Sequence, residues 1–160
     1  MFDLRRLFAA LRPPLGPRDA FERGLAALDS GRHAEAAREF ETALGESRDD
    51  SRRAEVHNKL GVALVALGRR DEALAGFCRA LGLDERCAPA LVNIGNLLLE
   101  EGHTADAIDY YEGAIAADER YHVAYGNLGV ALKRLGRPAD AVRALRSAAR
   151  LEVRQRAARS

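Results

Sequence analysis

The chain has no tryptophan, one methionine, two cysteines and an aromatic share of 6% in 160 residues. Cys78 and Cys87 form no Cys-x-x-Cys pattern, so neither a disulfide framework nor a thiolate metal knuckle is expected, and such usage fits a reducing, cytoplasmic compartment. No apolar run approaches the roughly 18 residues that a membrane-crossing helix needs. The histidines, His33, His57, His103 and His122, are dispersed, and no His-Glu-x-x-His or Asp-x-Asp loop accompanies them; no metal and no cofactor is expected. Glycine-rich phosphate loops are absent, and Ser30, Ser47, Ser51, Ser147 and Ser160 lie in no glycine elbow that would expose a nucleophile. Together these absences argue against an enzyme, and no catalytic residue is assigned. Lysine is scarce too: 23 of the 25 cationic residues are arginine, a bias we read as the composition of a GC-rich, bacterial-like genome rather than as arginine chemistry.

What is present suits one soluble domain: 48% hydrophobic and 31% charged residues, enough apolar material for a continuous core. The net charge of +1 conceals segregation: residues 1–18 sum to +3, residues 19–132 to −9 and residues 133–160 to +7. A basic–acidic–basic order of this kind governs encounter with partners rather than fold.

A ten-residue pattern at 93–102 has cousins 34 residues earlier at 59–68 and 34 residues later at 127–136, the signature of a stacked repeat. The following half of each unit stays in register, with Ala73, Ala107 and Ala141 in step, then Phe77, Tyr111 and Leu145, then Ala80, Ala114 and Ala148. A helix closing at Gly68, Gly102 or Gly136 and a second beginning shortly after form an antiparallel pair. The glycine supplies the left-handed residue that a helix end commonly needs. At the crossing, Gly95 and Ala107 are expected to let the backbones approach, with Leu98 and Tyr111 filling the space beside them.

An earlier, divergent unit carries Gly24, Gly31, Ala36, Phe40 and Ala43, with Arg23 where its sisters have Leu60, Ile94 and Leu128. Asp19 and Glu22 mark its start at capping-box spacing. Gly24 and Gly61 stand 37 residues apart, and the surplus of three is assigned to a polar loop over 46–53, with Asp50 or Ser51 capping the next helix. Pro138 opens the last helix, which should run on toward residue 157.

These residues resemble the tetratricopeptide repeats, over about 17–155. The resemblance implies an all-α, right-handed α-solenoid of four antiparallel helix-turn-helix repeats at about 17–50, 54–87, 88–121 and 122–155, within a domain spanning 17–160. Two features depart from the family pattern. The first-helix aromatic survives only as Tyr125, with His57 and Leu91 in its place, and Glu85 and Glu119 replace the proline that often closes a unit. Residues 1–16 stand apart as a short amphipathic helix with Phe2, Leu4, Leu7, Phe8 and Leu11, followed by a proline-rich linker. We prefer a cap on the first repeat for this helix, with attachment to a membrane surface through residues 1–12 as the alternative.

The resemblance further implies a concave groove, lined by the first helix of each pair, that holds a peptide segment of another protein. Its candidate residues are Lys59, Val62, Asn93, Asn96, Leu99, Glu100, Asn127, Val130 and Arg134, bordered by Asn58 and Lys133. Val62, Val65, Leu99 and Val130 would offer apolar contact. Asn93 and Asn127, whose side chains should not face the core, would satisfy a peptide backbone through amides that both donate and accept. A carboxylate clamp is rejected, because Val62, Pro89 and Val123 stand where polar groups would be required. The reading is therefore a non-catalytic adaptor. Two alternatives are kept: a scaffold that self-assembles as a homo-oligomer through its terminal helices, and anion or nucleic-acid binding by a basic stripe of Arg143, Arg146, Arg150 and Arg154. The last is the weakest, since that stripe has no aromatic platform.

Overall fold

The Oδ1 of Asp19 accepts the backbone N–H of Glu22 at 2.8 Å and starts the first of eight helices in a computed structural model that describes residues 19–159. The helices are α1 (Ala20–Asp29), α2 (His33–Glu46), α3 (Asp50–Ala66), α4 (Arg70–Leu83), α5 (Ala88–Glu100), α6 (Thr104–Ala117), α7 (His122–Arg134) and α8 (Pro138–Ala157), with no strand among the described residues. The amphipathic segment at 2–12 and the proline-rich linker lie outside the described residues.

Each pair turns on the same chemistry. Gly31, Gly68, Gly102 and Gly136 take φ values of 71°, 74°, 89° and 76°, where any side chain would be strained. The next residue reaches back five positions, as Arg69 N–H to the Leu64 carbonyl at 2.9 Å and His103 N–H to Leu98 at 2.9 Å, so carbonyls left open at the helix end are satisfied. A feature that sequence reasoning overlooked recurs at the start of each second helix: Arg32–Glu35, Arg69–Glu72, His103–Asp106 and Arg137–Asp140 pair at i,i+3. The acid sits in the first turn, where the helix dipole favours it. Between repeats, Asp84 and Asp118 accept the N–H two residues on, at 3.0 and 2.9 Å, and make the turn that proline makes elsewhere in the family.

Successive helices pack throughout, and the first helices α1, α3, α5 and α7 also touch one another in order; the second helices show no corresponding contacts. The first helices therefore crowd toward the inner side of a curve and the second helices splay along its outer side. Two buried clusters meet at α5, which turns Ala90, Ile94 and Leu97 back toward α4 and Ala88, Val92 and Leu99 forward toward α6 and α7.

Two expectations are corrected. The surplus of three residues is not a loop: α3 has 17 residues against 13 in α5 and α7, while the connection shrinks to 47–49. The added helical turn carries Arg52, whose guanidinium stacks 4.0 Å from the centroid of the Phe21 ring and lies 3.6 Å from Asp19, tying α3 to α1. Its cap is accordingly Asp49, which accepts the Arg52 N–H at 2.8 Å, and not Asp50 or Ser51, which are already helical. The nearest atoms that a Cβ at Gly95 would meet are those of the Tyr111 ring, at 2.6 Å. Gly24 and Gly61 accommodate Phe40 and Phe77 in the same way, and close backbone approach is seen where Gly76 meets Gly61 and where Gly129 meets the Ala141 carbonyl.

Candidate functional site

The inner side is built from equivalent positions of successive first helices. Lys59, Asn93 and Asn127 stand in equivalent places on α3, α5 and α7, half-buried, with Val62, Asn96 and Val130 one turn further along. Side chains three and four apart share a helix face, so neighbouring first helices bring these two rows together. Asn93 Nδ2 donates to Asn58 Oδ1 at 2.8 Å. Asn127 Nδ2 donates to Asn96 Oδ1 at 2.8 Å, and the Tyr111 hydroxyl donates to that same oxygen at 2.9 Å. Amides thus stitch α3 to α5 and α5 to α7, while among the described residues no donor reaches the Oδ1 atoms of Asn93 and Asn127.

This arrangement corrects three expectations. Asn58 is not a free binding group: it is buried at 5% exposure and accepts from Asn93, although it also lines a pocket with Lys59, Cys87 and Pro89. The side chains of Asn93 and Asn127 are not independent of the fold, because each amide commits one N–H to a neighbouring repeat. Leu99 offers no contact to a ligand: it is buried in the forward cluster with Ala107, Tyr111 and Leu128. Leu99 shares a register with Val65, half-buried, and Lys133, exposed, so burial there depends on the neighbouring repeat rather than on helix position.

One open pocket, of about 280 Å³, lies between the second and third repeats. Val62, Val65, Phe77 and Leu97 give it apolar walls, and Asn93, Asn96 and Glu100 give it a polar rim. Glu100 is held by Arg70 at 2.5 Å, and this pair flanks the pocket from the end of α5. Further along, Arg134 donates to the Leu99 carbonyl at 3.2 Å, and Lys133 and Val130 are exposed. The basic stripe lies elsewhere, on α8. Arg146, Arg150 and Arg154 are exposed there, and Arg143 pairs with Asp140, whose carboxyl is held below its ordinary range by the hydrogen bond from Arg137 and, further, by Arg143.

The tyrosine, cysteine and histidine groups with displaced titration are tuned first by burial. Burial pushes the Tyr111 phenol up to about 12, so it remains a hydrogen-bond donor to Asn96. The Cys87 thiol and the Tyr121 phenol are likewise raised by burial. His57, buried on α3 with no partner for Nδ1, is lowered by burial and then by Arg79 and Arg53, as for a ring that fills an aromatic's place. Among the described residues no group of three or more His, Cys, Asp or Glu side chains converges as a metal would require, and no described helix is long and apolar enough to cross a membrane.

The fold recurs in solved structures. The chain is similar to MamA, at 24% identity and a TM-score of 0.69 over 85% of this chain and 78% of that one. It is similar to YrrB, described as a TPR protein with an unusual peptide-binding site, at 24% identity and 0.62 over 82% of this chain and 66% of that one. PilF of Pseudomonas aeruginosa gives 25% and 0.73 over 82% of this chain and 59% of that one. Among curated proteins none matches by sequence. Two tetratricopeptide repeat profiles match residues 21–90 and 98–160. With helix pairs, closing glycines and matched profiles all spanning the same residues, the chain belongs to the tetratricopeptide repeat family.

Proposed function

We propose that this protein is a non-catalytic, cytoplasmic adaptor that binds a peptide segment of another protein across the inner side of α3, α5 and α7. The observation that carries the reading is the pocket with walls of Val62, Val65, Phe77 and Leu97 beneath the amides of Asn93 and Asn96. Its size suits one apolar side chain, and its rim can bond the flanking peptide groups. The Asn93–Asn58 and Asn127–Asn96 bonds orient those amides before a ligand arrives, so less ordering accompanies binding. YrrB, of the same fold, is described as having a peptide-binding site, which supports the class of ligand and not its sequence.

A peptide selected from a display library on the purified chain provides the probe, with affinity read by fluorescence anisotropy. Val62→Asp, placing a charge in the pocket, should weaken it by about ten-fold or more, the effect of roughly 1.4 kcal/mol. Asn93→Ala with Asn127→Ala should do likewise. That double change also removes the donor to buried Asn58, so its melting temperature should fall as well. If every selected peptide tolerates both Val62→Asp and the double asparagine change, the groove is refuted.

A further inference from the structure

The last helix carries two parallel strips that stand about half-exposed or more among the described residues. One is apolar, with Val142, Leu145 and Val153 at 46%, 43% and 67% exposure. The other is the row of Arg143, Arg146, Arg150 and Arg154, which the helical advance of about 100° per residue sets along one side of the first. Leu145 is in register with Phe77 and Tyr111, which are 1% and 0% exposed. Those rings are shielded because another first helix follows them. Phe77 shares a buried cluster with Ala90, Ile94 and Leu97 of α5, and Tyr111 shares one with Ala124, Leu128 and Ala131 of α7. Val142 has a buried counterpart in Ile108 at 6% and an exposed one in Leu74 at 41%, so Leu145 is the stronger signal. Twice within this chain, then, the face that α8 presents is occupied by a helix with small and branched apolar residues on one side.

We propose that the α8 face binds an amphipathic helix of a partner protein, apolar where it meets Val142 and Leu145 and acidic where it meets Arg146 and Arg150. The arginines select the sign of the flank: Arg146, Arg150 and Arg154 make no ion pair among the described residues, so an acidic helix gains contacts and a basic one is repelled. A second copy stacked end to end fits poorly. Its α1 would bring Arg23, bonded to Glu39 at 2.8 Å, to the position where α5 and α7 place Ile94 and Leu128. Two α8 faces meeting would set arginine against arginine.

The test uses the full chain and a dye-labelled helical peptide as long as α7. The peptide carries Ala, Ile and Leu at the spacing of Ala90, Ile94 and Leu97 and glutamate at its remaining outward positions; a second peptide has lysine for every glutamate. Saturable binding of the glutamate peptide at a Kd about ten-fold or more below that of the lysine peptide is expected. Leu145→Asp should abolish it, Arg146→Glu with Arg150→Glu should invert the preference, and Val62→Asp should change nothing, which separates this face from the inner groove. Helicity by circular dichroism checks that each variant is folded; both positions are exposed or half-exposed, and the arginine pair keeps the test decisive if Leu145→Asp unfolds. Equal affinity for the two peptides, or no saturable binding of either, overturns the proposal. Retention on phosphatidylglycerol vesicles without peptide binding would assign the face to a membrane instead. A dimer in light scattering that Leu145→Asp converts to monomer would assign it to a second copy.

Discussion

The third and fourth repeats share a register and differ in what lies beyond them. Gly95 and Gly129 hold equivalent places, as do Tyr111 and Leu145. The Tyr111 ring is fully buried and its hydroxyl is bonded to Asn96; Leu145 covers Gly129 yet remains 43% exposed. The difference shows that a solenoid repeat supplies only half of its own core. The second helix is covered on one side by its own first helix and on the other by the next unit, so identical local geometry yields a buried aromatic in the interior and a wet leucine at the end.

Truncation gives the largest expected contrast. Tyr111→Ala should destabilise by about 3–5 kcal/mol, the usual range for a buried aromatic, and it also removes one of the two donors to Asn96 Oδ1. Leu145→Ala should cost about 1 kcal/mol, since half of that side chain already meets water. Urea melts of the two variants measure both values, and similar losses would mean that the end repeat is as fully covered as the interior one.

Adding one methyl sharpens the comparison. A Cβ at Gly95 would sit 2.6 Å from the Tyr111 ring, and at Gly129 2.6 Å from Leu145 Cγ. The ring is enclosed and cannot yield, so Gly95→Ala should cost about 1–3 kcal/mol by overpacking. Leu145 can swing toward solvent and only the Ala141 carbonyl, 3.3 Å from such a Cβ, must give, so Gly129→Ala should cost less than Gly95→Ala, at about 1 kcal/mol, offset in part by helix propensity. Equal shifts in thermal melting would show that the clash is relieved by the helices rather than by the side chain.

The smallest effect concerns a third place in register, held by His57, Leu91 and Tyr125. His57 is held below its ordinary value of 6.5 in the fold. As pH falls from 6.5 toward the lowered folded value, the unfolded chain takes up the proton first, so stability drops with acidification across that window. His57→Leu, borrowing the residue of the third repeat, should flatten this part of the melting temperature's pH profile between about 7 and 5. An unchanged slope would show that His57 titrates alike in the folded and unfolded chains, as it would if water reached its ring.

The number of helix pairs, their ends and their apolar faces were legible from the residues because each is decided within a turn or two of chain. A glycine takes a positive φ, Asp19 reaches the N–H three residues on, Pro138 lacks an N–H where none is required, and residues three and four apart share a face. Tertiary structure alone decided the rest. The three surplus residues form a helical turn, and its Arg52 reaches the Phe21 ring of the preceding repeat. Asn93 and Asn127 were recognisable as a row, but their bonds to Asn58 and Asn96 depend on the rotation between neighbouring repeats. Leu99 is buried while Lys133 in the same register is exposed, because a further helix covers one and not the other. A repeating pattern of apolar residues specifies which side of a helix seeks cover, and only the stacking of the units determines what provides it.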